Sequence, residues 1–271
     1  VRGSADVPVV PVGDLEMYCE LRGRGRPLVM IMGLSGNCDW WEPQTLEELG
    51  RDFRILTFDN RDAGRTTGPD RPYTIRDMAL DTVGLMDQVG FEKAHLLGLS
   101  MGGMIAQELA LGHPERVDRL VLGCTTPGTR GVPPSAEVLS ELLASREGLS
   151  LTEVAQRMIW LLFTPEWVQA NADRLPEALA RLGAHPISSA GYTRQLAAIS
   201  SFDTLDRLRQ IEAPTLVLHG DRDVLVPPEN GRILAREIPD ARLVILPGCA
   251  HGFVTERPDL FVQAVREFLL T

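Results

Sequence analysis

The chain has no stretch of ~18 uninterrupted apolar residues, so no segment reads as a membrane span. The N-terminal VRGSADVPVV also lacks the basic start and continuous apolar run of a secretory signal. Both absences point to a cytoplasmic protein. Cysteine is sparse: Cys19, Cys38, Cys124 and Cys249 are widely scattered with no CxxC pair, which argues against zinc knuckles and thioredoxin-type redox sites. Reduced, buried thiols are expected in preference to a disulfide. Positive charge is in deficit as well. There are 27 Lys and Arg against 37 Asp and Glu, for a formal net charge of -10 at pH 7. Long-range attraction therefore draws in neither nucleic acid nor an anionic membrane surface. That deficit says little about a small neutral substrate. Internal repeats and low-complexity tracts are absent too.

What remains is 271 residues, 44% hydrophobic and 24% charged, enough to bury a substantial core in one main domain with an insertion. Apolar runs at 7–12, 15–21, 27–32, 53–59, 94–99, 119–123, 215–219 and 242–246 read as strands. Most are near-continuous, as in parallel strands covered on both faces. Helical patterns at 75–89, 101–111, 228–237 and 259–270 fall between them. This alternation implies an α/β fold with a mostly parallel, doubly wound sheet. The runs at 7–12 and 15–21 follow each other without a helix and are expected to pair antiparallel at one edge.

Between Pro127 and Phe202 the strands vanish. Helical segments at 137–146, 151–163 and 188–200 are separated by Pro133-Pro134, Pro165, Pro176 and Pro186. The segment is too apolar for a disordered linker, with Trp160, Leu161, Leu162, Phe163 and Trp167 close together. It reads as a helical lid, residues 128–202, inserted into a core domain of residues 1–127 and 203–271.

The join between the apolar run 94–99 and the following helix holds Gly98-Leu99-Ser100-Met101-Gly102. This fits G-x-S-x-G, in which a serine sits on a strained strand-to-helix turn and glycines relieve crowding on either side. The helix N-terminus beside Ser100 favours a developing negative charge. A serine hydroxyl needs a base to become a nucleophile. Of five histidines, His95 lies inside an apolar strand, His113 closes a helix, His185 belongs to the inserted segment and His219 ends a strand. His251, in a glycine-bracketed loop past the last strand, is the favoured base. The base needs a carboxylate behind it. GDRDVLVPPE supplies Asp221 and Asp223 at a strand's C-terminal end. Asp223 is preferred, with Asp221 bracing the loop. The order Ser100, Asp223, His251 is that of the fold in which this turn recurs. Two backbone N–H groups should form the oxyanion hole, from Met101 and from Leu34 in the loop after PLVMI.

GLSMGG at 98–103, FDNRDAGRT at 58–66, HGDRDVLVP at 219–227 and GCAHGFVTERPDLF at 248–261 together resemble the α/β-hydrolase family over nearly the whole chain. The resemblance implies Ser100 as nucleophile, His251 as base, Asp223 as acid and Leu34 with Met101 as oxyanion donors, with no metal or organic cofactor. Many relatives carry His-Gly where this chain has Met32-Gly33, which leaves the glycine geometry in place but not the histidine side chain. The subfamilies it looks most like are carboxylesterases, 3-oxoadipate enol-lactonases and cofactor-free perhydrolases, and its MGL loop resembles that of aclacinomycin methylesterase. Ser100 excludes the aspartate nucleophile of haloalkane dehalogenases. The expectation is a serine hydrolase acting on a small-molecule ester or lactone. Perhydrolysis, carbon–carbon bond hydrolysis and a non-catalytic receptor stand as alternatives.

Trp40 and Trp41 follow the oxyanion loop and are expected to line the acyl pocket, or else to pack a helix start. Trp160 and Phe163, with Trp167, are expected to roof it, or else to form a seam between helices. Met104 reads as core. Asp59, Arg61 and Arg65 read as a brace for their loop through charge-assisted hydrogen bonds. Oligomeric state is left open.

Overall fold

Eight strands build one sheet in the order β1-β2-β4-β3-β5-β6-β7-β8, in a computed structural model that describes residues 9–144, 148–173 and 175–271. In chain order the first half comprises β1 (Val9–Val12), β2 (Leu15–Gly23), β3 (Arg26–Ile31), α1 (Pro43–Leu49), β4 (Phe53–Phe58), α2 (Ile75–Gln88), β5 (Ala94–Leu99), α3 (Met101–Gly112) and β6 (Val117–Gly123). Five helices follow: α4 (Ala136–Leu143), α5 (Leu151–Leu162), α6 (Pro165–Ala170), α7 (Leu175–Leu182) and α8 (Ser189–Ser200). The chain then completes the sheet with β7 (Thr215–Gly220), α9 (Glu229–Glu237), β8 (Ala241–Leu246), α10 (Phe253–Glu256) and α11 (Pro258–Leu269).

β1 pairs antiparallel with β2, and β2 antiparallel with β4; every other pairing is parallel. The burial patterns explain the two kinds of apolar run. In β5 and β7 every residue is buried, because helices cover both faces. β2 alternates buried with more exposed residues along its first half, as a strand near an open edge does. Period-2 geometry sorts one strand between two cores. Val29 and Ile31 join the core under α2 and α3, while Leu28 and Met30 join the one under α1 and α11. Residues 7–8 of the first expected strand and 145–146 of the expected helix at 137–146 lie outside the described residues.

The parallel strands all end at one rim of the sheet. That rim collects the loop after β3, Ser100 after β5, Cys124 after β6, the 221–228 loop after β7 and the 247–252 loop after β8. The helices α4 to α8 intervene between β6 and β7 on the same side. Gln195 of α8 is fully buried and ties them down. Its Oε1 accepts from the Ser35 N–H at 2.8 Å, and its Nε2 donates to the Arg61 carbonyl at 2.9 Å. Arg194 beside it grips Asp62 through two bonds of 2.7 Å.

Candidate active site

Ser100 has φ 55° and ψ -120°, a backbone conformation that costs on the order of 1–3 kcal/mol for a non-glycine residue. Packing holds it there. A Cβ on Gly98 would come within 2.2 Å of the Gly102 carbonyl oxygen, and one on Gly102 within 2.1 Å of the Ile31 oxygen. The strand, the turn and α3 therefore close up only with glycine at both positions. The Ser100 carbonyl accepts from Gly103 N at 2.9 Å and from the Thr125 hydroxyl at 2.7 Å. Its hydroxyl makes no capping bond to the helix, which leaves it available at the rim.

His251 and Asp223 meet there. The imidazole Nδ1 lies 2.8 Å from Asp223 Oδ2, with both residues buried. The other carboxylate oxygen, Oδ1, accepts from the N–H groups of Leu225 at 2.9 Å and Val226 at 2.8 Å. A second imidazole, His219, is fully buried behind the pair. Its Nε2 is 3.3 Å from Asp223 Oδ2 and 2.9 Å from the Val226 carbonyl. Burial alone would raise the Asp223 carboxyl. The facing His251 and the hydrogen bonds from both imidazoles more than offset it and hold the group below its ordinary value. Burial likewise opposes a charged His251, but the Asp223 carboxylate, with a smaller contribution from the adjacent Cys124 sulfur, holds the imidazole well above the ordinary histidine value. Asp221 takes the loop-bracing place, accepting from Gly248 N at 2.7 Å. His95 packs edge-on against Phe53 in the core, 5.8 Å between ring centres.

The loop after β3 presses against the serine: a Cβ on Gly33 would lie 3.0 Å from Ser100 Cβ. Leu34, the next residue in that loop, lines the same cavity as Ser100, and Met101 opens α3 directly after the serine. The loop is pinned by Asn60, whose Nδ2 donates to the Met32 carbonyl at 3.0 Å, and by Gln195 at Ser35. Neither Asn60 nor Gln195 was singled out from sequence; FDNRD carries the first, and no local pattern marks the second. Asp59, Arg61 and Arg65 do not line the cavity above Ser100. Asp59 accepts from Cys38 N at 2.7 Å and from Arg65 N at 2.8 Å, and Arg61 pairs with buried Asp81 through two bonds of 2.6 Å.

A cavity of about 750 Å³ opens above Ser100 and His251, walled by the rim loops and roofed by the inserted helices. Trp40, Leu34 and Phe163 line it. Trp40 also donates from Nε1 to the Leu182 carbonyl at 3.1 Å, and Phe163 stacks on Trp167 at 4.7 Å. Two expectations are corrected. Trp41 points into the core under α1 and α11 and is 2% exposed; the helical turn Cys38–Trp40 ends before it and its own backbone is extended, which parts its side chain from that of Trp40. Trp160 is 40% exposed on the outside of α5, off the inward stripe of Val154, Met158, Ile159 and Leu162. Met104, read as core, also reaches the cavity wall. Sequence reasoning missed Glu42 and Arg181, which form a bidentate pair on that wall with bonds of 3.0 and 2.6 Å.

The His251 loop is wired to the inserted helices. Gly252 N donates to the Leu162 carbonyl at 2.6 Å. Glu256 is buried; its Oε2 accepts from Ala250 N at 2.6 Å, and its Oε1 accepts from Thr164 N at 2.6 Å and the Thr164 hydroxyl at 2.8 Å. Among the described residues, no group of three or more His, Cys, Asp or Glu is arranged to hold a metal ion.

Residues 26–258 match the family model described as alpha/beta hydrolase fold. A protein of Azorhizobium caulinodans named "Putative carbamate hydrolase RutD" is 30% identical over 97% of this chain and 98% of its own. Among solved structures, the enol-lactonase of Burkholderia xenovorans LB400 superposes with a TM-score of 0.86 at 29% identity, covering 97% of this chain and 100% of that one. A hydrolase of Pseudomonas aeruginosa PA01 superposes with a TM-score of 0.87 at 30% identity, covering 98% and 99%.

Proposed function

This chain is a hydrolase of the alpha/beta hydrolase family, and on that premise we propose that it cleaves carboxylic esters or lactones through an acyl-serine intermediate. Ser100 Oγ attacks the carbonyl carbon and His251 Nε2 takes its proton. Asp223 holds the imidazole by Nδ1 and stabilises its charged form. The carbonyl oxygen, now negative, is received by the N–H groups of Leu34 and Met101. His251 returns the proton to the departing alkoxide, then activates a water that releases the acid. None of these steps calls on a metal or an organic cofactor.

The observation that carries this reading is the 2.8 Å contact between His251 Nδ1 and Asp223 Oδ2, opening on the cavity that Ser100 also lines. The inserted helices serve as the lid of that cavity in this reading. The partner is a small-molecule ester or lactone, not nucleic acid or membrane. Four buried cysteines outside any disulfide fit a reducing cytoplasm, and among the described residues no helix is long and apolar enough to cross a membrane.

Replacing Ser100 with alanine tests the assignment. Turnover of p-nitrophenyl butyrate should fall by at least ~10³-fold with an unchanged far-ultraviolet dichroism spectrum. Retained turnover would rule Ser100 out as nucleophile.

A further inference from the structure

The wall of the cavity is aliphatic and aromatic over most of its extent, with Leu142, Ile159, Leu162, Leu179 and Leu196 from the inserted helices and Ile187 from the loop between α7 and α8. Among the described residues its formal charges, His251 aside, are Glu42 and Arg181. These two cancel. Arg181, on α7, holds both oxygens of Glu42, which follows the oxyanion loop. The Thr255 hydroxyl, four residues past His251, adds a third bond to Glu42 at 3.2 Å. The Arg181 Nε is buried with no hydrogen-bond partner, so the guanidinium is held by one carboxylate and no other acceptor is in place for that N–H.

A substrate carboxylate entering this space would lose its hydration and find, among the described residues, no cation free of a carboxylate partner, a costly burial. An aliphatic chain would instead gain up to about fourfold in binding per buried methylene. We infer that the Glu42–Arg181 pair makes the cavity select uncharged esters or lactones with an extended aliphatic portion, and that Glu42 is the residue setting this charge preference. A cavity of about 750 Å³ is also far larger than the smallest acyl groups require. The inference rests on the proposed hydrolysis and names its substrate class.

The two members of the pair make opposite contributions. Glu42→Gln keeps the side-chain shape and an acceptor for Thr255 but leaves Arg181 with an unmatched positive charge. Arg181→Met leaves Glu42 with an unmatched negative one. The experiment measures kcat/KM for p-nitrophenyl butyrate, hexanoate and octanoate, each matched to the mono-p-nitrophenyl ester of the diacid of equal length. In the unmodified enzyme the neutral ester should win each pair by at least ~10-fold, with octanoate above butyrate. In Glu42→Gln the gap should narrow by ~10-fold or more for at least one length, through KM. In Arg181→Met it should widen.

Equal rates for charged and neutral esters in the unmodified enzyme overturn the inference, as do two variants that move the gap the same way or leave it unmoved. In either case the parent reading survives, since esters are still hydrolysed at Ser100. Absence of all ester turnover, with no fluorophosphonate label on Ser100, overturns the parent reading and the inference together.

Discussion

Asp223 illustrates how a single carboxylate is kept charged where burial favours the neutral form. Two backbone N–H groups and two imidazoles face its oxygens, and the same carboxylate raises the affinity of His251 for a proton. The sign of the pH dependence follows. The base acts as neutral imidazole, so activity is lost as pH falls through a pKa held above the ordinary value of about 6.5. A pH profile of kcat/KM should show its acid limb above that value. In Asp223→Asn the limb should move down while kcat falls by ~10⁴-fold; an unmoved limb would detach Asp223 from the base. At this scale the sequence was informative where chemistry constrains spacing. The glycines around Ser100 follow from the turn that holds it, and the chain order of serine, aspartate and histidine is the one usual in this fold. Trp41 was not legible, because neighbouring tryptophans carry no signal of which faces inward. Trp160 was partly legible, since the i, i+4, i+8 spacing of Val154, Met158 and Leu162 excludes it from the inner face of α5.

Between elements, a buried carboxylate links the start of α6 to the His251 loop. Glu256 accepts from Thr164 on one side and from Ala250 on the other, so both oxygens face donors. In Glu256→Gln the amide nitrogen must face one of them. Stability to urea should drop by about 1–3 kcal/mol, and kcat should fall by ~10-fold with KM less affected, because the loop that aims His251 loosens. An unchanged kcat would separate the inserted helices from the base. The helices α6 and α7 were not expected from the sequence, and α1 only as a helix start beside Trp41; proline is the reason. Pro43 and Pro165 occupy the first turn of their helices, where the missing N–H has no partner to lose. Pro165 and Pro176 were read as separators between helices, although each stands near the beginning of one. The strands were clearer: β5 and β7 are buried on both faces, so their apolar runs are continuous and their flanks sharp.

At the scale of the whole molecule, the sheet supplies a rigid rim and the inserted helices supply the space above it. The doubly wound sheet was legible because alternating strands and helices leave few other ways to cover both faces. The cavity was not, since its walls depend on contacts between residues far apart in the chain. Arg181 with Glu42 and Gln195 with Ser35 are separated by 139 and 160 positions. Filling the roof tests that arrangement. Ile159→Trp should lower kcat/KM for p-nitrophenyl octanoate by ~10-fold more than for the acetate; equal losses for both would place α5 away from the bound chain.

The central claim is that Ser100 carries the acyl group during turnover, and rapid acid quenching followed by peptide mass spectrometry tests it most directly. With p-nitrophenyl octanoate the expected result is an octanoyl adduct on the peptide containing Ser100, absent from Ser100→Ala. An adduct on another residue, or none while turnover persists in Ser100→Ala, would contradict it.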